Sequence, residues 1–285
     1  MDRLVSGAWL EKELGVPDLR VLDCSVAMEV LPDGSRSYRP GQPAWEGHHI
    51  PGSAHVDLVH QISDPSSPFP FMLPPPGQFS AVMSALGVGD GTRVVLYDSL
   101  MNVWAARVWW MLRALGFDDA AVLDGGWRGW TADGRPISAD PEPGWPPVTF
   151  TVRVRPDFFV GKEEVLAAID RNAVGIVDAL PPDVYRGDRH DYARPGHIPG
   201  AVNVPFAALV DPDTHRYLPE DQLRAAFSGV LSADPERVIT YCGGAIAASS
   251  DAFILNLLGV DDVAIYDGSL SEWSADPSLP LVTRG

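Results

Sequence analysis

The feature of this sequence that most constrains its fold is an internal repeat. His49-Ile50-Pro51-Gly52 recurs as His197-Ile198-Pro199-Gly200, and residues 115–130 match residues 258–273 at eight of sixteen positions. Repeated units of about 130 residues are each large enough to form a domain. Short apolar stretches alternate with helical spacing in both copies, which predicts a central, mostly parallel sheet flanked by helices. The sequence therefore indicates an α/β fold built from two tandem domains.

The repeat also divides the chain. We expect a first domain over residues 1–135, a proline-rich linker over residues 136–157 and a second domain over residues 158–285, because six prolines fall between residues 136 and 156. In the first domain, the patterns predict strands near residues 20–23, 54–58, 94–97 and 121–123 and helices near 78–86 and 103–115. The polar stretch that follows the first of these strands and ends at Gly47 is predicted to be a loop.

Composition excludes several classes of function. The net charge of −17 argues against binding to nucleic acid or to an anionic membrane surface, since both need clustered Lys and Arg. Cys24 and Cys242 are the two cysteines of the chain, which is no disulfide framework and favours a reducing compartment. The first residues carry no apolar signal core, and no window approaches a membrane span. We therefore expect a cytoplasmic protein.

Cys242 is the candidate nucleophile. It follows the strand-like run Val238–Tyr241 and precedes a helical pattern, with Gly243 and Gly244 between them. The glycines are predicted to let the loop fold tightly and to turn its N–H groups inward, and the helix start adds partial positive charge. Both effects favour a thiolate, so we expect a lowered pKa at Cys242. The alternative is an inert, buried cysteine, which is common.

The repeat places Asp98 where the second copy has Cys242, because Tyr97 aligns with Tyr241. An aspartate cannot act as a sulfur nucleophile. The loop after Asp98 is predicted to be two residues longer and lacks paired glycines. We therefore expect that the first domain does not catalyse the same chemistry.

Several motifs in order give the chain a resemblance to the tandem-domain rhodanese family, the thiosulfate and 3-mercaptopyruvate sulfurtransferases. They are the two His-Ile-Pro-Gly segments and the stretches 106–111, 123–126, 241–248 and 266–269. The resemblance implies two rhodanese-like α/β domains, of which the second is catalytic. It implies that Cys242 takes a sulfane sulfur from a small donor, becomes a persulfide and passes the sulfur to cyanide or a thiol. It implies no metal or organic cofactor, and a thioredoxin-like reductant as a partner.

The resemblance also implies a binding site for the donor. The loop residues expected to contact it are Gly243, Gly244, Ala245, Ile246 and Ala247. The arginines expected to bind its anionic group are Arg186, the best positional match, and Arg189; Arg194 also lies in this stretch, and the alternative for each is a solvated surface charge.

The chain departs from the family pattern at the loop. Thiosulfate-using members tend to carry cations just after the cysteine, where this chain has two glycines. Mercaptopyruvate-using members have a loop serine, assisted by a histidine and an aspartate of the first domain; here these positions are Gly244, Phe71 and Val59. The relay is therefore expected to be absent, and 3-mercaptopyruvate is the expected preferred donor because no cation lies beside the cysteine.

The pattern bears on two other functions. A phosphatase or arsenate reductase of the related Cdc25 kind needs an arginine six residues after the cysteine, where this chain has Ala248. A persulfide carrier for a protein partner, with little turnover of small donors, remains open. His49 and His197 are predicted to make local hydrogen bonds rather than to bind a metal.

Overall fold

The chain folds as two compact units in the computed structural model, which describes residues 1–32 and 36–283. The first unit comprises residues 1–155 and 213–216, and the second comprises residues 156–212 and those from Tyr217 onward. Each unit contains one five-stranded parallel sheet. Within the described ranges, no helix combines the length and the apolar character needed to cross a membrane.

The first unit contains a parallel sheet and a separate hairpin. Its strands are Leu4–Val5 (β1), Leu19–Asp23 (β2), Val26–Val30 (β3), Arg36–Pro40 (β4), Ser53–His55 (β5), Arg93–Tyr97 (β6) and Ala120–Leu123 (β7). The sheet has the order β1-β7-β6-β2-β5, and β3 pairs with β4 in antiparallel register. Four of the five residues of β6 are buried, as expected for a strand covered on both faces.

The helices of the first unit cover this sheet. They are Gly7–Glu13 (α1), Gln42–Gly47 (α2), Pro76–Ala85 (α3), Val103–Ala114 (α4) and Gly126–Ala132 (α5). The two predicted helices are α3 and α4, with ends that differ by one or two residues. The predicted loop before Gly47 is wrong where the structure describes it, because this stretch forms β3, β4 and α2; Asp33, Gly34 and Ser35 lie outside the described residues.

The second unit repeats this topology. Its strands are Phe159–Val160 (β8), Val174–Asp178 (β9), Val202–Asn203 (β10), Arg237–Tyr241 (β11) and Val263–Tyr266 (β12). Its helices are Lys162–Ala168 (α6), Pro182–Tyr185 (α7), Glu220–Ala226 (α8), Ser228–Leu231 (α9), Ile246–Leu257 (α10) and Ser269–Trp273 (α11). The order β8-β12-β11-β9-β10 matches that of the first sheet strand for strand, which confirms the repeat predicted from the sequence.

Residues 136–155, most of the predicted linker, lie along the first unit. The Trp130 indole donates to the Pro136 carbonyl at 2.7 Å, and the Arg153 N–H donates to the Leu115 carbonyl at 2.9 Å. Ser138 forms an isolated antiparallel bridge with His49. These backbone contacts hold the stretch in place despite its many prolines.

Candidate active site

Cys242 lies at the carboxyl end of β11, the central strand of the second sheet, and before the first turn of α10. This is the strand-to-helix position that the sequence predicts, and it is where parallel sheets place their chemistry. The cysteine is 3% exposed. Cys24, the other cysteine, follows β2 and is completely buried. Both thiols are free.

Ser269 organises the backbone of the Cys242 loop. Its hydroxyl accepts hydrogen bonds from the N–H groups of Cys242 at 3.2 Å and Ala245 at 3.1 Å, and it donates to the Tyr266 carbonyl at 2.8 Å. The next residue, Leu270, donates its N–H to the Cys242 carbonyl at 3.0 Å. The first residues of α11 therefore hydrogen-bond to both ends of the Cys242 loop, although more than twenty residues of chain separate the two.

Three other N–H groups of the loop act on the sulfur. Those of Gly244, Ala247 and Ala248 hydrogen-bond to the Cys242 side chain and lower its pKa. Burial outweighs them, and the nearby Asp178 carboxylate acts in the same direction as burial, so the pKa of the Cys242 thiol is raised above its ordinary value. The expected lowering of this pKa is therefore wrong for the unloaded site, because the prediction counted the amides and the helix start but not the loss of water.

The two glycines shape the loop differently from the prediction. Neither Gly243 nor Gly244 has a positive φ; the left-handed residue is Ala245, with φ of 61° at the start of α10. Gly243 is instead constrained by a neighbour, because a β-carbon added to it would overlap the hydroxyl of Tyr192. Its carbonyl accepts hydrogen bonds from the Ser271 hydroxyl at 2.6 Å and the Ser271 N–H at 3.0 Å.

The other residues predicted to contact the donor lie on the same loop with different exposure. Gly243 and Ala245 are buried, whereas Gly244, Ile246 and Ala247 are half-buried. The half-buried residues are thus the ones that combine access to solvent with a position beside the thiol.

The predicted anion-binding arginines are engaged in ion pairs. Arg186 pairs with Asp188 at 2.9 Å, and Arg189 pairs with Asp183 at 3.0 Å and with Asp191 at 3.1 Å. The side chains of both arginines are nearly half exposed. Their charge is therefore balanced locally in this structure, and a donor anion would share or replace these carboxylates.

Arg194 has a structural role. Its guanidinium donates to four backbone carbonyls near the end of the chain, those of Trp273, Ser274, Asp276 and Leu279. It thereby fastens the segment that contains the other arginines to the region after α11.

Two buried carboxyl groups lie behind the site. Asp178 ends β9, next to Tyr241 in the sheet register, and its Oδ1 accepts the N–H of Leu180 at 2.8 Å. Burial raises the pKa of Asp178 to about 6, and it raises the pKa of Asp251, on α10, well above the ordinary value for an aspartate. Neither residue was predicted, since a carboxyl group at a strand end or within a helix carries no signal of its own.

The first unit holds Asp98 at the position of Cys242. Its carboxylate accepts the N–H groups of Leu100 at 2.7 Å, Asn102 at 3.1 Å and Ala105 at 2.8 Å. Burial nevertheless raises the pKa of Asp98 to about 7. Asn102, with φ of 64°, precedes α4 as Ala245 precedes α10, so this loop is one residue longer than its counterpart and not two as predicted.

The two repeated histidines make the local contacts that the sequence predicts. The Nδ1 atoms of His49 and His197 lie 2.7 Å from the carbonyls of Trp45 and Tyr185, and each imidazole stacks on the ring of that residue. Over residues 1–32 and 36–283, no group of three or more His, Cys, Asp or Glu side chains is arranged to hold a metal ion.

Comparison with known proteins agrees with this arrangement. The rhodanese-like domain model matches residues 6–133 and 161–276. Rat 3-mercaptopyruvate sulfurtransferase is 34% identical over 95% of this chain and 91% of its own, and rat thiosulfate sulfurtransferase is 33% identical over the same shares. The crystal structure of SseA from Escherichia coli, described among 3-mercaptopyruvate sulfotransferases, superimposes with a TM-score of 0.82 and 31% identity, over 94% of this chain and 99% of that one.

Proposed function

Because this chain belongs to the rhodanese family and is a sulfurtransferase, we propose that it moves a sulfane sulfur through a persulfide on Cys242. The observation that carries the proposal is the position of Cys242 between β11 and α10, where a set of three N–H groups, those of Gly244, Ala247 and Ala248, acts on its sulfur. Such a set can hold an anionic outer sulfur without any cationic side chain. Asp98 supports the same interpretation, because the equivalent loop of the first unit holds a carboxylate with its amides.

In the first half-reaction, the Cys242 thiolate attacks the transferable sulfur of the donor. With 3-mercaptopyruvate the carbon–sulfur bond breaks, the thiol proton ends on carbon, and pyruvate leaves. With thiosulfate the sulfur–sulfur bond breaks and sulfite leaves. In the second half-reaction, a thiophilic acceptor takes the outer sulfur: cyanide becomes thiocyanate, and the Cys242 thiolate is regenerated.

We assign the preferred donor as 3-mercaptopyruvate. Thiosulfate carries two charges close to the transferred sulfur, and the loop offers amides but no cationic side chain at Gly243 or Gly244. Charge-assisted hydrogen bonds contribute roughly 1.5–3 kcal/mol each, so their lack lowers thiosulfate use about tenfold or more. The carboxylate of 3-mercaptopyruvate lies farther from its sulfur, and a bidentate arginine is proposed to bind it, Arg186 first and then Arg189.

The chemistry of a persulfide also suggests the sulfur acceptor and the redox conditions under which the protein acts. A small thiol, cyanide or a thioredoxin-like reductant can remove the outer sulfur, and reducing conditions such as those of the cytoplasm keep Cys242 as a free thiol. A persulfide carrier that serves a protein partner is the second candidate function. It is favoured by the burial of Cys242, which limits the access of donors in solution.

The experiment compares Cys242→Ser with Cys24→Ser, a matched control because both thiols are buried and burial raises the pKa of both. Each protein is mixed with 3-mercaptopyruvate or thiosulfate, and intact mass is followed together with thiocyanate production. We expect a sulfur adduct and many turnovers in wild type and Cys24→Ser and neither in Cys242→Ser. An adduct that persists in Cys242→Ser contradicts the assignment, and an adduct without repeated turnover identifies the carrier.

A further inference from the structure

Tyr192 lies against the residue that follows the nucleophile. A β-carbon built on Gly243 would overlap the Tyr192 hydroxyl and would lie 2.7 Å from Cζ and 3.0 Å from Cε1 of the ring. Carbon atoms that are not bonded pack at about 3.5–4.0 Å, so a side chain at Gly243 is excluded while Tyr192 keeps its place. The phenol hydroxyl therefore occupies the volume that the side chain of residue 243 would have.

The segment that carries Tyr192 is fastened on both sides. Before it, Arg189 is tied to Asp183 through its guanidinium and its own N–H, the latter donating to the Asp183 carbonyl at 3.0 Å. After it, Arg194 donates to four carbonyls near the end of the chain. Tyr192 itself is half-buried. Its ring is thus held beside the loop by contacts on either side in the sequence, and part of it faces solvent.

Gly243 is also prevented from moving away. Its carbonyl is bound twice by Ser271, through the hydroxyl and through the N–H, and the carbonyl of Cys242 is bound by Leu270. The Tyr192 ring therefore packs against Gly243, and hydrogen bonds hold the backbone on both sides of this contact in place. A change on either side is expected to be felt at the sulfur, one residue away.

We propose that Tyr192 is a donor-recognition residue of the sulfur-transfer site, a proposal that rests on the function assigned above. Its hydroxyl is a polar group that fills the space of a side chain at residue 243, the residue that follows Cys242. A phenol hydroxyl is neutral and donates a single hydrogen bond, which suits a singly charged donor such as an α-keto acid thiol. It cannot match the charge of a compact dianion as an ammonium or guanidinium does.

The first test removes only the hydroxyl. Tyr192→Phe is compared with wild type in steady-state turnover of 3-mercaptopyruvate and thiosulfate, with Tyr185→Phe as control because the Tyr185 hydroxyl bonds the Ala201 carbonyl instead. We expect KM for 3-mercaptopyruvate to rise roughly tenfold in Tyr192→Phe, as for the loss of one hydrogen bond to a charged group, with kcat changed less than about twofold. KM for thiosulfate should change less, and Tyr185→Phe should match wild type.

The second test probes the fit itself. Gly243→Ala should reduce the rate of persulfide formation about tenfold or more, and the double variant Gly243→Ala with Tyr192→Ala should recover the rate of Tyr192→Ala alone, as expected for two residues in contact. Full activity in Gly243→Ala, or unchanged KM values in Tyr192→Phe, would overturn the role of Tyr192 while the proposed function stands. If wild type forms no persulfide with either donor, the proposed function and this inference both fail.

Discussion

Ser269→Ala should destabilise the second unit far more than the size of the change suggests. The substitution leaves the N–H groups of Cys242 and Ala245 without their acceptor and deprives the Tyr266 carbonyl of a donor. Ser269 and Ala245 are fully buried and Cys242 is nearly so, which keeps water from replacing the hydroxyl. A buried donor without a partner costs about 1–3 kcal/mol, so two of them lower the free energy of unfolding by about 2–6 kcal/mol.

Ser271→Ala is the matched control. It removes a hydroxyl from the same helix, but the Gly243 carbonyl keeps the N–H of Ser271 as its donor, so about 0.5–1.5 kcal/mol is expected. Hydrogen exchange of the amides of β11, followed by mass spectrometry against urea concentration, reports unfolding of this unit separately from the other. The reasoning is refuted if Ser269→Ala falls within about 1 kcal/mol of wild type or if both variants lose the same amount.

Three further predictions concern buried carboxyl groups. Asp178→Asn should lower the pH midpoint of Cys242 alkylation by iodoacetamide, because the Asp178 carboxylate raises the pKa of the thiol. The control Asp251→Asn should leave this midpoint unchanged. An upward shift in Asp178→Asn would contradict the effect assigned to Asp178. Asp98→Ala should destabilise the first unit by roughly 2–6 kcal/mol, because the buried N–H groups of Asn102 and Ala105 and the partly buried N–H group of Leu100 lose their acceptor. The persulfide yield per folded molecule should not change. Tryptophan fluorescence in urea measures the stability, and intact mass measures the yield. Because the pKa of Asp98 is raised to about 7, wild type should lose stability relative to Asp98→Asn as the pH rises from about 4 to 7. A difference in free energy of unfolding that stays constant over this pH range would refute the raised pKa.

The sequence predicted those parts of the fold whose signals are local. Strand β11 is predicted by a run of β-branched and aromatic residues, and helix α10 by apolar residues at helical spacing. The position of Cys242 between the two elements follows from these two patterns. The hairpin of β3 and β4 was missed because four of the five residues of β3 are exposed, so the strand lacks the alternation of apolar and polar residues that marks a half-buried strand.

The contacts that complete the candidate site were harder to foresee because they join distant parts of the chain. Ser269 bonds the amide of Cys242 across 27 residues, and Tyr192 reaches Gly243 from a segment before β10. A glycine required by a neighbouring ring looks the same in a sequence as one required for a turn. The motif around Ser269 marked the region without revealing its hydrogen bonds. The raised pKa of Cys242 depends on burial, which spacing alone does not reveal.

The two loops, compared with each other, explain how a thiol with a raised pKa can serve sulfur transfer. In the first unit the amides after β6 hold the Asp98 carboxyl group, which burial leaves partly protonated near neutral pH. In the second unit the amides after β11 face a thiol that is mostly protonated at neutral pH because it is buried. A persulfide is a stronger acid than a thiol, so under the proposed mechanism these amides stabilise the loaded state more than the empty one. Such differential stabilisation favours capture of sulfur from the donor, and it makes the loop a site for the persulfide anion rather than for the resting thiolate.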